Sequence, residues 1–333
     1  MARKNNKTQL MSFENSIKKS NEISMAKLSH GLSLNQMQLL AFAIYSTQQD
    51  GQTEFIKADF ERKFELTRYL TKHAKEDAQK LVGLQFSIED LENDYFEYWN
   101  VFQSIKYVKG EFRFKWTDDM IPHILQLKTH YVTTDLTMTS QFKSSFSWTL
   151  YEYIKARHGA YYIVASKDAL LRLFGVENRK TYIDSTAQFK RGVLDVAINE
   201  INLHTELEMW YTEKKKGRAI VGFELHWSTG ERIALATENQ REELTRLVDE
   251  VESLLENIMH MENEESKEKA RKLLIDTEGM RKGKGEKLTS KEASEYIPKA
   301  KDNLRWIEAM LENDKKPATK SPVVFYNWLE ERE

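Results

Sequence analysis

The stretch STAQFKRGVLDVAINEINLH (185–204), followed by ELEMWYTEKKKGRAIVGFELHW (206–227), decides how this chain is read. Its first part is an amphipathic helix. At ~100° per residue, Phe189, Val193, Val196, Ala197 and Leu203 share an apolar face. Gln188, Arg191, Asp195, Asn199 and Asn202 lie opposite, flanked by Lys190. Ser185 or Thr186 supplies the N-cap, since either hydroxyl accepts from the free amides of the first turn. The second part alternates aromatic and polar residues over two strands, with Lys214, Lys215, Lys216, Gly217 and Arg218 at the tip. That alternation is a half-buried hairpin. A helix followed by a basic ribbon is the ending of a winged helix-turn-helix.

Working outward, the elements before this stretch are SFSWTLYEYIKAR (145–157) and YIVASKDALLRLFGV (162–176), a helix and then a strand running into a helix. The same order occurs once before, as LSLNQMQLLAFAIYS (32–46), FIKADFERKFEL (55–66), TKHAKEDAQKLVGL (71–84) and EFRFKWTDD (111–119). Matched points are offset by 107, 114 and 111 residues (Phe55 to Tyr162, Thr71 to Ser185, Trp116 to Trp227). Near-constant offsets mark an internal repeat. The expected fold is α+β, mainly helical, with two tandem winged helix-turn-helix domains plus a helical C-terminal extension. The boundaries are a basic flexible N-terminus (1–14), a first winged domain (15–135), a second (136–236) and an acidic helical region (237–333) with a linker near 279–290. At ~150 residues per domain, 333 residues accommodate two domains with an extension.

Charge distribution says more than charge total. Fifty basic against 52 acidic residues give a net charge of −2. Residues 1–19 nevertheless carry five cations against Glu14 alone, and 238–333 hold 18 basic and 23 acidic residues. An acidic tail therefore hides a basic working surface. The chain has no Cys, which removes disulfides, thiolate zinc sites and iron–sulfur clusters. No apolar run reaches the ~18–20 residues of a membrane span, and the polar start has no signal-peptide core. We expect a soluble cytoplasmic protein with no membrane partner.

A helix-turn-helix lays its second helix in the major groove with N-terminal residues at the base edges. Arg and Gln bridge guanine and adenine edges with two hydrogen bonds. Gln188, Lys190 and Arg191 are thus the candidate base readers. A basic wing holds phosphate, which assigns Lys214, Lys215, Lys216 and Arg218. The equivalent helix of the first unit carries Lys72, His73, Lys75 and Lys80 but also Glu76 and Asp77. Its wing alternates aromatic and polar residues through YFEYWNVFQSIKYVKG (95–110) and EFRFKWTDD (111–119), with Lys109-Gly110 as the turn, and its charge is read from the acidic DLENDYFEYW (90–99). The first unit is expected to contact DNA weakly through Lys72, Lys75 and Lys80, or to serve as a protein–protein surface. Tyr95, Phe96, Trp99 and Phe102 belong to its core or to a dimer face.

The stretch from Phe189 to Leu225 resembles the second winged domain of plasmid replication initiators, the Rep proteins of theta-replicating iteron plasmids. The family pattern FKR-x-VL-x-x-A-x-x-EIN is met by Phe189, Lys190, Arg191, Val193, Leu194, Ala197, Glu200, Ile201 and Asn202, and K-x-GR by Lys216, Gly217 and Arg218. NSIKKSNEISMAKLSHGLSLNQMQLLAFAI (15–44) is similar to the opening of the family's first winged domain, and SSFSWTLYEYIKA (144–156) to the helix that opens the second. The resemblance implies binding of double-stranded DNA at direct repeats of a plasmid origin, melting of adjacent DNA, and recruitment of a host initiator, helicase or helicase loader. It implies a homodimer, formed largely through the first domain, in equilibrium with a monomer; the dimer represses its own gene. It places base contacts on the recognition helix, and phosphate contacts on the wing and helix ends, which adds Ser185, Thr186, Arg179 and Lys180. A winged-helix transcriptional repressor is the alternative.

In the C-terminal region, Leu244, Leu247, Val248, Val251, Leu254, Leu255, Ile258 and Met259 form a helical stripe, expected as a surface or partner-binding helix. A further helix is expected around Tyr296–Leu311, followed by an aromatic cluster of Phe325, Tyr326, Trp328 and Leu329. No P-loop pattern is present, and the eight His are dispersed without H-x-H or H-E-x-x-H spacing. The expectation is a non-enzyme with no cofactor and no metal.

Overall fold

A computed structural model describes residues 5–20, 31–50, 53–90, 95–127, 131–157, 159–259, 263–281 and 287–314. The chain divides into two units, Met1–Ile233 and Ala234–Glu333.

Unit 1 opens with strands β1 (Thr8–Met11) and β2 (Ser16–Ser20), then helix α1 (Leu34–Asp50). Strand β3 (Glu54–Ile56) runs into α2 (Lys57–Lys63), and α3 (Thr71–Val82) follows. Two hairpins come next, β4 (Gln85–Asp90) with β5 (Tyr95–Asn100), and β6 (Phe102–Val108) with β7 (Glu111–Trp116). Helix α4 (Ile121–Ile124), β8 (Tyr131–Asp135) and α5 (Leu136–Thr139) lead to the second set, which starts with α6 (Ser145–Lys155), β9 (Tyr162–Ser166) and α7 (Lys167–Leu173). Helix α8 (Lys180–Asp184) precedes one continuous rod: α9 (Thr186–Phe189), a π turn (Lys190–Leu194) and α10 (Asp195–His204). Strands β10 (Leu207–Lys216), β11 (Ala219–Thr229) and β12 (Glu231–Ala234) follow.

The repeat is visible in strand order. One three-stranded sheet runs β3-β7-β6 and the other β9-β11-β10, the same arrangement built from matching elements. In both, the strand after the wing buries every second residue: Phe112, Phe114 and Trp116 in β7, and Phe223, Leu225 and Trp227 in β11. Each wing closes with a two-residue turn. Lys109 (φ 49°) and Gly110 (φ 92°) are both left-handed, and Gly217 (φ 61°) opens the other turn. Such turns match the twist of the strands they join. A single apolar core links the two sets, from Phe42 and Phe60 to Phe189 and Phe223.

Helix α6 contributes a residue to each of two buried ion pairs, Glu152 to one and Lys155 to the other. Both oxygens of Glu152 accept from Lys19 Nζ on β2, at 2.6 Å. Glu206, just before β10, accepts from Lys155 Nζ at 2.8 Å and lies 3.8 Å from Arg232 Nε.

The start of the chain departs from the flexible terminus expected for residues 1–14. Strand β1 pairs with β12, at the far end of the second winged set. Asn5 Nδ2 donates to the carbonyls of Glu206 and Ser228 at 2.9 and 3.0 Å, and Lys7 Nζ to that of Leu207 at 2.7 Å. These partners lie two hundred residues away or more, so no local pattern announces the strand.

Unit 2 contains helices α11 (Glu238–Met259), α12 (Glu264–Met280) and α13 (Ser290–Asp314). The stripe expected to face a partner is used internally. Leu244, Leu247 and Val248 pack with Ala293, Ile297 and Ala300 of α13, and Val251, Leu255 and Ile258 with Ala270 and Ile307. Only its end, Met259, is exposed among the fully assigned positions of the stripe, at 37%. Of the linker expected near 279–290, Met280 and Leu288 are buried, and residues 282–286 lie outside the described residues. Phe325, Tyr326, Trp328 and Leu329 also lie outside them. Among the described residues, no helix is long and apolar enough to cross a membrane.

Candidate nucleic-acid interface

The second recognition helix is not a regular α-helix, and this corrects its wheel. A π turn closes i→i+5 bonds and so holds one residue more than an α turn. Beyond it every side chain is turned back by ~100°. The observed buried set is Phe189, Val193, Leu194, Ala197, Ile198 and Ile201. On an unbroken α-helix these would cover about half the circumference, whereas the extra residue draws them into roughly a third. The same rotation puts Leu203, expected in the core, 75% exposed. It also turns Asn202 off the outer face. Asn202 Oδ1 accepts from the N–H of Met209 at 2.6 Å, and its Nδ2 donates to the Met209 carbonyl at 2.9 Å. Asp195 is likewise engaged, accepting from the Tyr211 hydroxyl at 2.8 Å. Burial first, and then Asp195, pushes that hydroxyl well above the usual tyrosine range.

At the helix start, Ser185 is the N-cap and accepts from the Gln188 N–H at 3.2 Å, with Thr186 as the first helical residue. Gln188, Arg191 and Asn199 are exposed on the outer side. Lys190 is tied down, its Nζ 2.6 Å from Glu213 Oε1 on β10, so it braces helix against wing. Lys215 shares Glu213 at 3.3 Å, and Lys214 pairs with Glu224. The bond from Lys190 holds the Glu213 carboxyl below the usual carboxylate range, and the bond from Lys214 does the same for Glu224. Three of the cations assigned to DNA are thus already paired within the protein. Lys216 and Arg218 stay exposed at the wing tip, as do Arg179 and Lys180 around the start of α8.

In the first set, Lys72, Lys75 and Lys80 are exposed on α3, and Lys72 stands 3.8 Å from Glu76. Asp77, expected as an acidic counterweight on that surface, is turned inward. It accepts from the Tyr69 hydroxyl at 2.9 Å and from Gln36 Nε2 at 3.0 Å. The first wing also differs from expectation. Of DLENDYFEYW, Asp90 falls on β4 and Tyr95–Trp99 on β5, a separate two-stranded sheet, with 91–94 outside the described residues, whereas the wing matching β10 and β11 is β6–β7. That wing is basic, with Lys106, Lys109 and Lys115 exposed and Arg113 held 2.8 Å from Glu111. The turn at Lys109-Gly110 lies where the sequence places it, between β6 and β7; the acidic stretch belongs to the preceding hairpin instead, because two hairpins follow one another. Phe102 is core, and Trp99 packs 4.6 Å from Phe86. Tyr95 and Phe96 have side chains outside the described residues. Among the described residues, no three His, Asp or Glu gather as a metal site.

Residues 16–155 match the family model described as Initiator Replication protein, WH1, and residues 166–227 match Initiator Rep protein, WH2, together more than half of the chain. The chain belongs to the Rep family of replication initiators. One solved structure similar to this Rep chain is that of Pi initiator protein in complex with iteron DNA. It is 21% identical with a TM-score of 0.50, covering 66% of this chain and 98% of that one. Two structures of RctB spanning its domains 2 and 3 are 9% and 12% identical, with TM-scores of 0.38 and 0.36. They cover 59% and 58% of the Rep chain and 81% and 80% of their own. No curated protein sequence matches. The two winged-helix domains of this Rep initiator are therefore the repeat seen in its strand order.

Proposed function

We propose that this Rep initiator binds double-stranded DNA sequence-specifically at direct repeats of a plasmid origin, in the bacterial cytoplasm and without catalysis. One observation carries the reading: a single chain holds two winged units, each with an exposed polar helix face followed by a basic two-residue wing turn. A two-fold dimer reads a palindrome. One chain carrying two unlike units reads an asymmetric site, and asymmetric sites in tandem are direct repeats. Arg191 and Gln188 read bases in the second unit. Lys216, Arg218, Arg179 and Lys180 hold phosphate there, with the Ser185–Thr186 helix start. Lys72, Lys75 and Lys80 contact DNA in the first unit, joined by Lys106, Lys109 and Lys115 of its wing. Bound copies melt adjacent DNA and engage a host initiator, helicase or helicase loader, while a dimer represses the initiator's own gene.

A footprint of the purified chain on DNA flanking its own gene tests this, repeated at several salt concentrations. A ladder over direct repeats, lost with Arg191→Ala, is expected. Lys216→Ala and Arg218→Ala each lower the salt slope by about 0.9, the value of one phosphate contact. Lys214→Ala, whose ammonium is already paired with Glu224, lowers it less. Protection of one inverted repeat alone would leave a winged-helix repressor, and no protection would refute both.

A further inference from the structure

Tyr182 lies on α8, outside the recognition helix, yet its ring is seated on that helix's backbone. A Cβ built on Gly192, in the middle of the π turn, would stand 3.1 Å from both Cε1 and Oη of Tyr182. The ring also meets Phe189 edge-on, centroids 6.4 Å apart, and Phe189 is fully buried. Helix α8 is held from the other side, where Lys167 Nζ donates to the Ile183 carbonyl at 2.6 Å. Glycine inside a helix is unfavourable relative to alanine, and π turns are rare. Here the glycine leaves the space that the tyrosine fills.

We propose that Tyr182 and Gly192 are positioning residues for base reading: the ring on the glycine holds the π turn, and the π turn sets which base pairs the second unit distinguishes. The turn rotates Gln188, which precedes it, by ~100° relative to α10 and Arg191, which lies within it, by part of that angle, while Phe189 before it and Ala197 and Ile201 beyond it stay anchored in one core. Because both ends are anchored, loss of the extra residue changes the presentation of the N-terminal segment without emptying the core. This rests on the second unit being a DNA reader.

The test uses the full chain and duplexes carrying the site that the wild type protects, with each base pair of one repeat substituted in turn, in competition at one salt concentration. Deletion of Gly192 and Tyr182→Leu are expected to change discrimination about tenfold, the scale of one bidentate base contact, at the base pairs whose preference Arg191→Ala also changes. Their salt slopes stay at the wild-type value. Lys216→Ala weakens binding by one factor across all sequences. Folded variants that keep the wild-type preferences, or weaken every sequence evenly, would overturn the proposal. If Tyr182→Leu does not fold, Gly192→Ala carries the test, since it keeps the ring and displaces it by a few tenths of an ångström; a smaller change at the same base pairs is expected. A wild type without base preference, or Arg191→Ala leaving every preference intact, refutes the DNA-reading role itself and the proposal with it.

Discussion

The ion pair of Lys19 and Glu152 offers a quantitative test of how unit 1 is held together. The two side chains are 9% and 6% exposed. The carboxylate accepts from Lys19 on both oxygens at 2.6 Å, from Trp148 Nε1 at 2.7 Å and from Thr134 Oγ1 at 3.3 Å. Lys19→Met leaves a buried charge uncompensated, at a cost of about 3–5 kcal/mol. Glu152→Leu strands the ammonium and also orphans the indole N–H, which adds about 1–3 kcal/mol. Making both changes removes both charges and leaves the indole as the main loss, so the double variant falls only about 1–3 kcal/mol below wild type. The assay is urea unfolding followed by tryptophan fluorescence, because five of the seven Trp lie in unit 1. With a slope of about 3 kcal/mol per molar urea, Lys19→Met shifts the unit 1 midpoint down by about 1–1.7 M. The double variant then lies above both singles. Singles within about 0.3 M of wild type, or a double as unstable as the two losses combined, would refute the argument.

Two further outcomes follow from single side chains. Asn202→Ala deprives the Met209 N–H and carbonyl of their partner and is expected to cost about 2 kcal/mol in urea unfolding while leaving base preference intact; changed preference with unchanged stability would return Asn202 to the reading face. Asp135 accepts from the amides of Ser12 and Thr137 at 2.8 Å each, yet burial pushes its carboxyl above the usual range. The native state therefore binds more protons than the unfolded chain between the ordinary and the raised value, and this group's contribution to stability declines as pH rises through that window. The stability of wild type relative to Asp135→Asn should shrink as pH rises above the ordinary aspartate range of about 4, and a difference independent of pH would contradict it.

Local chemistry made much of this molecule legible. The alternation in EFRFKW and GFELHW identifies strands whose inner faces are aromatic, and Ser185 identifies a helix start. What could not be read depends on distant partners or on one inserted residue. Leu203 and Asn202 were misplaced because a wheel assumes a constant angle, and Lys190–Leu194 break it. Asp77 reads as surface charge until Tyr69 and Gln36 are brought beside it. The stripe of α11 is equally suited to a foreign helix and to α13, and only the fold of unit 2 chooses between them. Glu213 directly precedes the three lysines of β10 and Glu224 lies on β11, yet which lysine each neutralises is decided by cross-strand and helix contacts.

The pairing of β1 with β12 has a consequence for synthesis on the ribosome. Thr8–Met11 is made more than two hundred residues before Glu231–Ala234. At about 5–20 residues per second, its partner arrives about 11–45 s later. By the time Glu231 is made, both winged sets have every strand of their own three-stranded sheets. Pairing of β1 with β12 is thus a late event in the assembly of unit 1, and it waits on a strand made more than two hundred residues after its partner.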